Sequence, residues 1–326
     1  MNKFAILGLI VVLVVAAWAG IWFFVSGQIR QQVEMLAMAD GETTPRLTCG
    51  DLEIGGFPFR FSVTCNTAEI TSGDLTASLP AIDMQALVYR PTHLLAAAQG
   101  PAQISDAFTG NENAIAWQSL EASLQLTDWR IGRFSLVGEE VEWNDTLIGS
   151  DLIASSPHVE VHLIDMADHH QPDAGLASLA GYAVANDLAV PLAGIGSGEV
   201  TLEAELRNLP DDLRALDAPD LLRRWQQSEG ELNLISLAAS DGEDTMAADG
   251  TVRLTDSGLA EGQITVQSNG LIERFATAIP EPLRGMVMGE ATDEGGFTQT
   301  INIRGGVVMI GLLPAAMIPS LFAASP

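Results

Sequence analysis

Four of the five histidines fall between positions 158 and 170: His158, His162, His169 and His170, interleaved with Glu160, Asp165 and Asp168. Imidazole and carboxylate together form the ligand set of zinc and other transition metals. Alternation with Val159, Val161 and Leu163 places His158, Glu160 and His162 on one face of a strand. The same alternation equally describes a plain solvated face. These three residues are the metal candidates of the chain, against an expectation of no resident metal and no cofactor.

Other chemistry is weaker. Gly194-Ile195-Gly196-Ser197-Gly198 resembles a nucleophile elbow, but its register is wrong and a strand follows where a helix should. It fails as a dinucleotide loop for the same reason. Paired acids such as Glu139-Glu140 are plentiful among 42 acidic residues and carry no acid–base assignment by themselves. No catalytic residue is expected, and the chain reads as a non-enzyme. The net charge is −27 and Lys3 is the only lysine. That excludes nucleic-acid binding through a basic face and leaves most of the surface repelled by anionic headgroups.

The elements that carry these residues begin with Phe4 to Val25, an uncharged apolar run. At about 1.5 Å per helical residue it spans a hydrocarbon core of roughly 30 Å. A cleaved signal peptide is the rival reading, with Ala17-Trp18-Ala19 as a formal cleavage site. Ile21 to Val25 continue the apolar run past that site, which favours an uncleaved anchor with Trp18 and Trp22 as interfacial residues. Lys3 and Arg30 flank the run, so basic residues orient it weakly. The only cysteines, Cys49 and Cys65, flank the Gly55-Gly56-Phe57-Pro58 turn signal at nearly equal distance. A bridge between them would add roughly 3 kcal/mol by chain entropy and implies an exported body. Two buried free thiols are the other reading. The expectation is a bacterial inner-membrane protein, single-pass, with its body in the periplasm and the bilayer contacted through residues 4–25.

Hydrophobic content of 47% excludes wholesale disorder. The organisation reads as residues 1–40, a cytoplasmic tip, anchor and helical extension, and 41–326, one β-rich body. Period-two segments recur along the body, most regularly at Leu232–Ala239, Thr245–Leu254 and Gly262–Ser268, with a last hairpin at Gln299–Ile303 and Val307–Ile310. Helices are expected at Pro172–Asn186, Pro210–Gln227, Leu271–Ala278 and Glu281–Met288. The fold class is α+β and β-rich: a transmembrane helix, then a large curved antiparallel sheet with a few flanking helices. The uncharged tail from Val307 is expected to pack on the sheet or touch the bilayer.

Gly55-Gly56-Phe57-Pro58-Phe59-Arg60-Phe61, the paired cysteines, Tyr89-Arg90-Pro91-Thr92-His93-Leu94 and Ile303 to Gly311 resemble an alphaproteobacterial family of anchored envelope proteins, domain-of-unknown-function family 2125. The resemblance runs from about Trp22 to the C-terminus. Its most specific element is the hairpin motif Gly56, Phe57, Pro58, Phe59 and Arg60. It implies location and a β-rich fold and supplies no activity. The C-terminal meander is also distantly similar to AsmA-like envelope proteins, which resemble lipid-handling grooves. The expected function is therefore non-enzymatic: holding lipid in an apolar groove lined by strand residues such as Leu124, Leu126, Val252, Leu254, Ile264 and Val266. An assembly scaffold with an envelope-protein partner is the alternative, and a metal-dependent enzyme built on His158 to His170 the third.

Overall fold

The computed structural model describes residues 3–42, 44–216, 218, 220–274, 289–291 and 296–322. The apolar run and the polar segment after it form one continuous helix, α1 (Lys3–Ala37). Strands follow in chain order: β1 (Arg46–Gly55), β2 (Arg60–Ser72), β3 (Leu75–Leu87), β4 (Arg90–Gln99), β5 (Ala102–Asp106), β6 (Glu112–Ala116), β7 (Ser119–Thr127), β8 (Arg130–Asp145) and β9 (Asp151–Asp165). Then come β10 (Leu176–Val190), β11 (Ile195–Pro210), the short helix α2 (Leu221–Gln227), β12 (Glu231–Asp241), β13 (Asp244–Leu254) and β14 (Ala260–Asn269). The last strands are β15 (Glu290–Ala291), β16 (Phe297–Arg304), β17 (Val307–Ile310) and β18 (Leu313–Met317). Among the described residues all 18 strands belong to one antiparallel hydrogen-bonded network, so the chain is a β-rich body behind one long apolar helix.

The chain divides into two compact units, Met1–Ser123 with Glu142–Asp151, and Leu124–Val141 with Leu152–Pro326. In the first, β1 pairs β2, and β2 pairs β3. The long β3 then serves two partners: Ala81–Leu87 pairs β4, and Leu75–Ser78 pairs β5. The break between those partners is Gly100-Pro101. The Trp117 indole donates to the Ala98 carbonyl there at 2.8 Å and packs where a Cβ on Gly100 would sit.

The second unit is an antiparallel meander in which β9, β10, β11, β12, β13, β14, β16, β17 and β18 pair in succession. Side chains alternate faces along a strand, and directly paired residues share a face. The register therefore places Val161, Ala183, Leu202 and Leu237 on one face, and Leu206, Leu232 and Val252 further along the same face. One irregularity is essential to this. Leu234 pairs Gly250 while Leu237 pairs Ala248, so β12 carries an extra residue between them. The bulge keeps Leu237 on the face of Leu234 and turns Ile235 outward, 46% exposed.

Two expected helices are corrected. Pro172–Asn186 is mostly strand β10, because both of its edges find partners in β9 and β11, and that pairing overrides the helix-like Leu176–Leu179–Ala180 spacing. Pro210–Gln227 reduces to α2. Pro210 ends β11, and Asp212 accepts the Arg214 amide to start a separate single turn at Leu213–Ala215. Trp225 fixes α2 by donating its indole N–H to the Arg207 carbonyl at 2.7 Å. The helices expected at Leu271–Ala278 and Glu281–Met288 fall largely outside the described residues. The apolar tail runs as β17 and β18, paired to each other.

Strands β13 and β14 approach closely at two glycines. A Cβ on Gly262 would stand 2.1 Å from the Thr251 carbonyl oxygen and 2.9 Å from the Val252 Cα, both backbone atoms that cannot yield. Gly262→Ala is expected to lower stability by about 1–3 kcal/mol, the usual cost of overpacking. Denaturant unfolding of the two proteins checks this. An unchanged midpoint would mean the strands can separate freely at this point.

Candidate functional site

Four of the six expected groove residues do share a face. Val252 and Leu254 on β13 pair Gly262 and Ala260, and Ile264 and Val266 on β14 pair Gly250 and Ala248. The face extends well beyond them. It continues through Ile301 and Ile303 on β16 to Ile310 and Val308 on β17. In the other direction it runs through Leu232 and Leu234, Leu206 and Leu202, to Val161 and Val159 on β9. Leu254 and Ile303 are buried, whereas Val252, Ile264, Val266, Ile301, Leu202 and Leu232 are only half-buried. Leu254 is thus a core residue, not a groove residue. Leu124 and Leu126 are half-buried on β7, alternating with exposed Gln125 and Thr127. The opposite face of the same strands carries Thr201, Asp249, Thr251, Gln263 and Thr300. Near the ends of β11 to β14 an open cavity of about 710 Å³ has a mixed lining, with Glu199, Thr201 and Gln267 beside Ala238, Met246 and Phe297.

The histidine segment separates into two clusters. On β9, Glu160 stands between its neighbours: one carboxylate oxygen meets His158 Nε2 at 2.6 Å and the other meets His162 Nε2 at 2.8 Å. His158 Nδ1 also meets Glu139 on β8 at 2.9 Å, and His162 Nδ1 meets the Ser135 hydroxyl at 3.0 Å. The His162 ring stacks near Tyr182, its register partner on β10. These side chains spend their lone pairs and protons on one another. Among the described residues no group of three or more His, Cys, Asp or Glu is arranged to hold a metal ion. His170 lies elsewhere, between the Arg130 guanidinium and Asp211. Arg130 in turn pairs with Asp165 at 3.0 Å, both side chains largely buried. This second cluster ties β8, the end of β9 and the chain after β11 together.

Gly194 closes a single turn at Pro191–Ala193 and leads into strand β11, so Gly194 to Gly198 forms neither an elbow nor a phosphate loop.

The Cys49 and Cys65 sulfurs stand at disulfide distance, with Cα atoms 5.2 Å apart. They are not register partners: Cys49 lies opposite Ala68 and Cys65 opposite Leu52. At the end of this hairpin, Gly56 has φ +98° and a Cβ there would strike the Arg60 carbonyl at 2.7 Å, so the motif requires glycine. The turn contains a cis Phe57–Pro58 peptide. Phe61 stacks on Trp22 at 5.4 Å, and Phe57 meets the same indole edge-on. Arg60 points to Gln85, with Nη1 3.5 Å from Oε1. The partnership of Trp18 and Trp22 with this turn is what sequence reading missed. Both tryptophans were visible only as interfacial residues. Glu139 was visible only as one of two adjacent acids, without its histidine.

A long apolar helix followed by a β-rich antiparallel body defines the class. The family model described as "Uncharacterized protein conserved in bacteria (DUF2125)" matches residues 22–319, and the chain belongs to that family. Comparison with curated proteins and with solved structures finds no match.

Two members of the β9 cluster are shifted by their hydrogen bonds. The hydrogen bond to Glu160, with that to Glu139 behind it, raises the His158 pKa above its ordinary value of 6.5. The hydrogen bonds from His162 and then His158 hold Glu160 below its ordinary 4.5. A raised histidine stabilises the fold below its unfolded pKa and loses that contribution as pH rises through the folded one. A depressed glutamate contributes above its unfolded pKa and loses the contribution as pH falls through the folded one. Histidine NMR titration should give His158 a midpoint above 6.5, and Glu160→Gln should lower it. A midpoint unmoved by that substitution would detach His158 from Glu160.

Proposed function

We propose that this is a membrane-anchored, non-enzymatic envelope protein that holds acyl chains against the apolar face of its second unit. α1 is the anchor, long and apolar enough to cross a bilayer. The body lies on the periplasmic side of the inner membrane, the compartment in which a Cys49–Cys65 disulfide persists. The observation that carries the lipid reading is the face itself. Large aliphatic side chains from β9 to β17 share it, yet most are only half-buried; Leu254 and Ile303 are the exceptions among those named above. A domain that consumes its apolar residues in a core buries leucines and isoleucines completely. A continuous apolar surface beyond a few hundred Å² marks an interaction site.

A photoreactive fatty acid added to membranes carrying the full chain should label it strongly. The pair Val252→Glu and Ile264→Glu should cut labelling about tenfold or more, because a charge on a half-open face excludes an acyl chain while remaining hydrated. The pair Thr251→Glu and Thr265→Glu, one residue away on the opposite face, should leave it unchanged. Leu254→Glu should instead unfold the protein, since its charge would be buried without a partner. Wild-type labelling no stronger than that of an unrelated membrane protein at equal abundance sinks the lipid reading.

Orientation is checked separately. An alkaline phosphatase fused after Pro326 should be active, N-terminal sequencing should begin at or near Met1, and denatured protein should show no reactive thiol until reductant is added. An inactive fusion or two free thiols would place the body in the cytosol.

A further inference from the structure

The geometry points to a second membrane contact: the β1–β2 turn, Gly55–Phe59, enters the body-side leaflet beside α1 and brings the neighbouring β3–β4 turn at Tyr89 to the headgroups. The inference rests on the reading of α1 as a membrane span and is independent of the acyl-binding face.

Depth is the first argument. A span needs about 20 residues, and counted from Phe4, just after the charged Lys3, it reaches Phe23. Every helix residue that holds the turn lies inside that span. The Trp18 indole N–H donates to the Pro58 carbonyl at 3.1 Å, and the Trp22 indole donates to the Arg60 carbonyl at 3.1 Å. Phe23 stacks on Phe57 with centroids 6.0 Å apart. Trp18 sits about 10 Å along the helix below Val25, at about 1.5 Å per residue. Further up the helix, Arg30 reaches the Leu52 carbonyl at 3.5 Å, so β1 descends alongside α1 toward the turn.

Much of the turn's backbone is also satisfied within the protein. Backbone groups in hydrocarbon need internal partners. The Pro58 and Arg60 carbonyls accept the two indoles, Gly56 accepts the Arg60 amide, and Phe59 accepts the Val88 amide. Pro58 has no N–H to satisfy. The side chains left outward are aromatic: Phe57, Phe59 and Tyr89 are 46%, 69% and 71% exposed, beside Phe23 and Phe24 on the helix.

Charge gives the third argument. The chain carries −27, yet neither Ile54–Val63 nor Met84–Leu95 contains an acid. Both stretches contain an exposed arginine, Arg60 and Arg90, and neither forms an ion pair among the described residues. Arginines flanking inserted aromatics sit at the level of lipid phosphates, with their aliphatic stems along the apolar layer. The bilayer that α1 crosses is the surface these two turns meet.

Spin labels on the full chain in nanodiscs of phosphatidylethanolamine and phosphatidylglycerol test this. Accessibility to oxygen and to a nickel chelate reports depth. The labelled variants are Phe59→Cys, Tyr89→Cys, Val14→Cys for the anchor and Thr251→Cys for the body; the native cysteines stay unlabelled without reductant. The label at 59 should read roughly 5–10 Å below the phosphates, the label at 89 at headgroup level, the label at 14 near the midplane and the label at 251 in water. A label at 59 as water-accessible as that at 251, with 14 still deep, overturns the inserted turn and leaves the anchor standing. A label at 89 in bulk water removes the headgroup contact even if 59 is deep. Water access at 14 removes the anchor reading and the inference with it.

Discussion

The period of two in side-chain direction, handed from strand to strand by antiparallel register, is the constraint on which the second unit depends. Each strand has one apolar parity, and every pairing from β9 to β17 must preserve it. A slip of one residue anywhere would bring Thr251 and Gln263 onto the face of Val252 and Ile264. The β12 bulge shows the constraint acting. Leu232, Leu234 and Leu237 cannot share a face of a regular strand, so the backbone inserts a residue and exposes Ile235.

The same constraint explains what was legible. Strands with clean alternation, β9, β13, β14, β16 and β17, were visible as strands, and β12 was visible as a strand without its bulge; the shared parity of Val252, Ile264 and Val266 was legible with them. Strand β10 was not, because Leu176 to Ala180 is rich in small and aliphatic residues that suit either period. Only its two neighbours decide it. The site partners were less legible still. Trp18 and Pro58, Glu139 and His158, Arg130 and His170 are each brought together by pairing across many residues, and no local spacing encodes them.

Polar chemistry follows from where the sheet leaves charges. Glu160 is flanked at two residues on each side by histidine, so the pleat itself lines up His158, Glu160 and His162 and lets one carboxylate bridge both rings. Residues that could have converged on a metal are instead neutralised in a row along one strand. The acid excess elsewhere is handled by hydration and by a few arginines: Arg274 binds Asp241 and Asp244, and Arg207 binds Glu205 and Glu231. Arg60 and Arg90 differ from these arginines in lying on acid-free stretches beside exposed aromatic side chains, which is why their position at the aromatic turns carries meaning.

A face of half-buried aliphatic side chains is a standing cost to the folded state. Apolar area left in water forgoes about 25 cal/mol per Å² relative to burial, and the described core buries few large side chains to offset it. The hydrogen-bonded ladder helps keep such a face ordered, because its backbone groups are satisfied strand by strand. Under the proposed function, an acyl chain covering the face would bind only the folded state and so link occupancy to stability: each tenfold rise of ligand over its Kd would add about 1.4 kcal/mol. A protein with that function would be most stable when loaded.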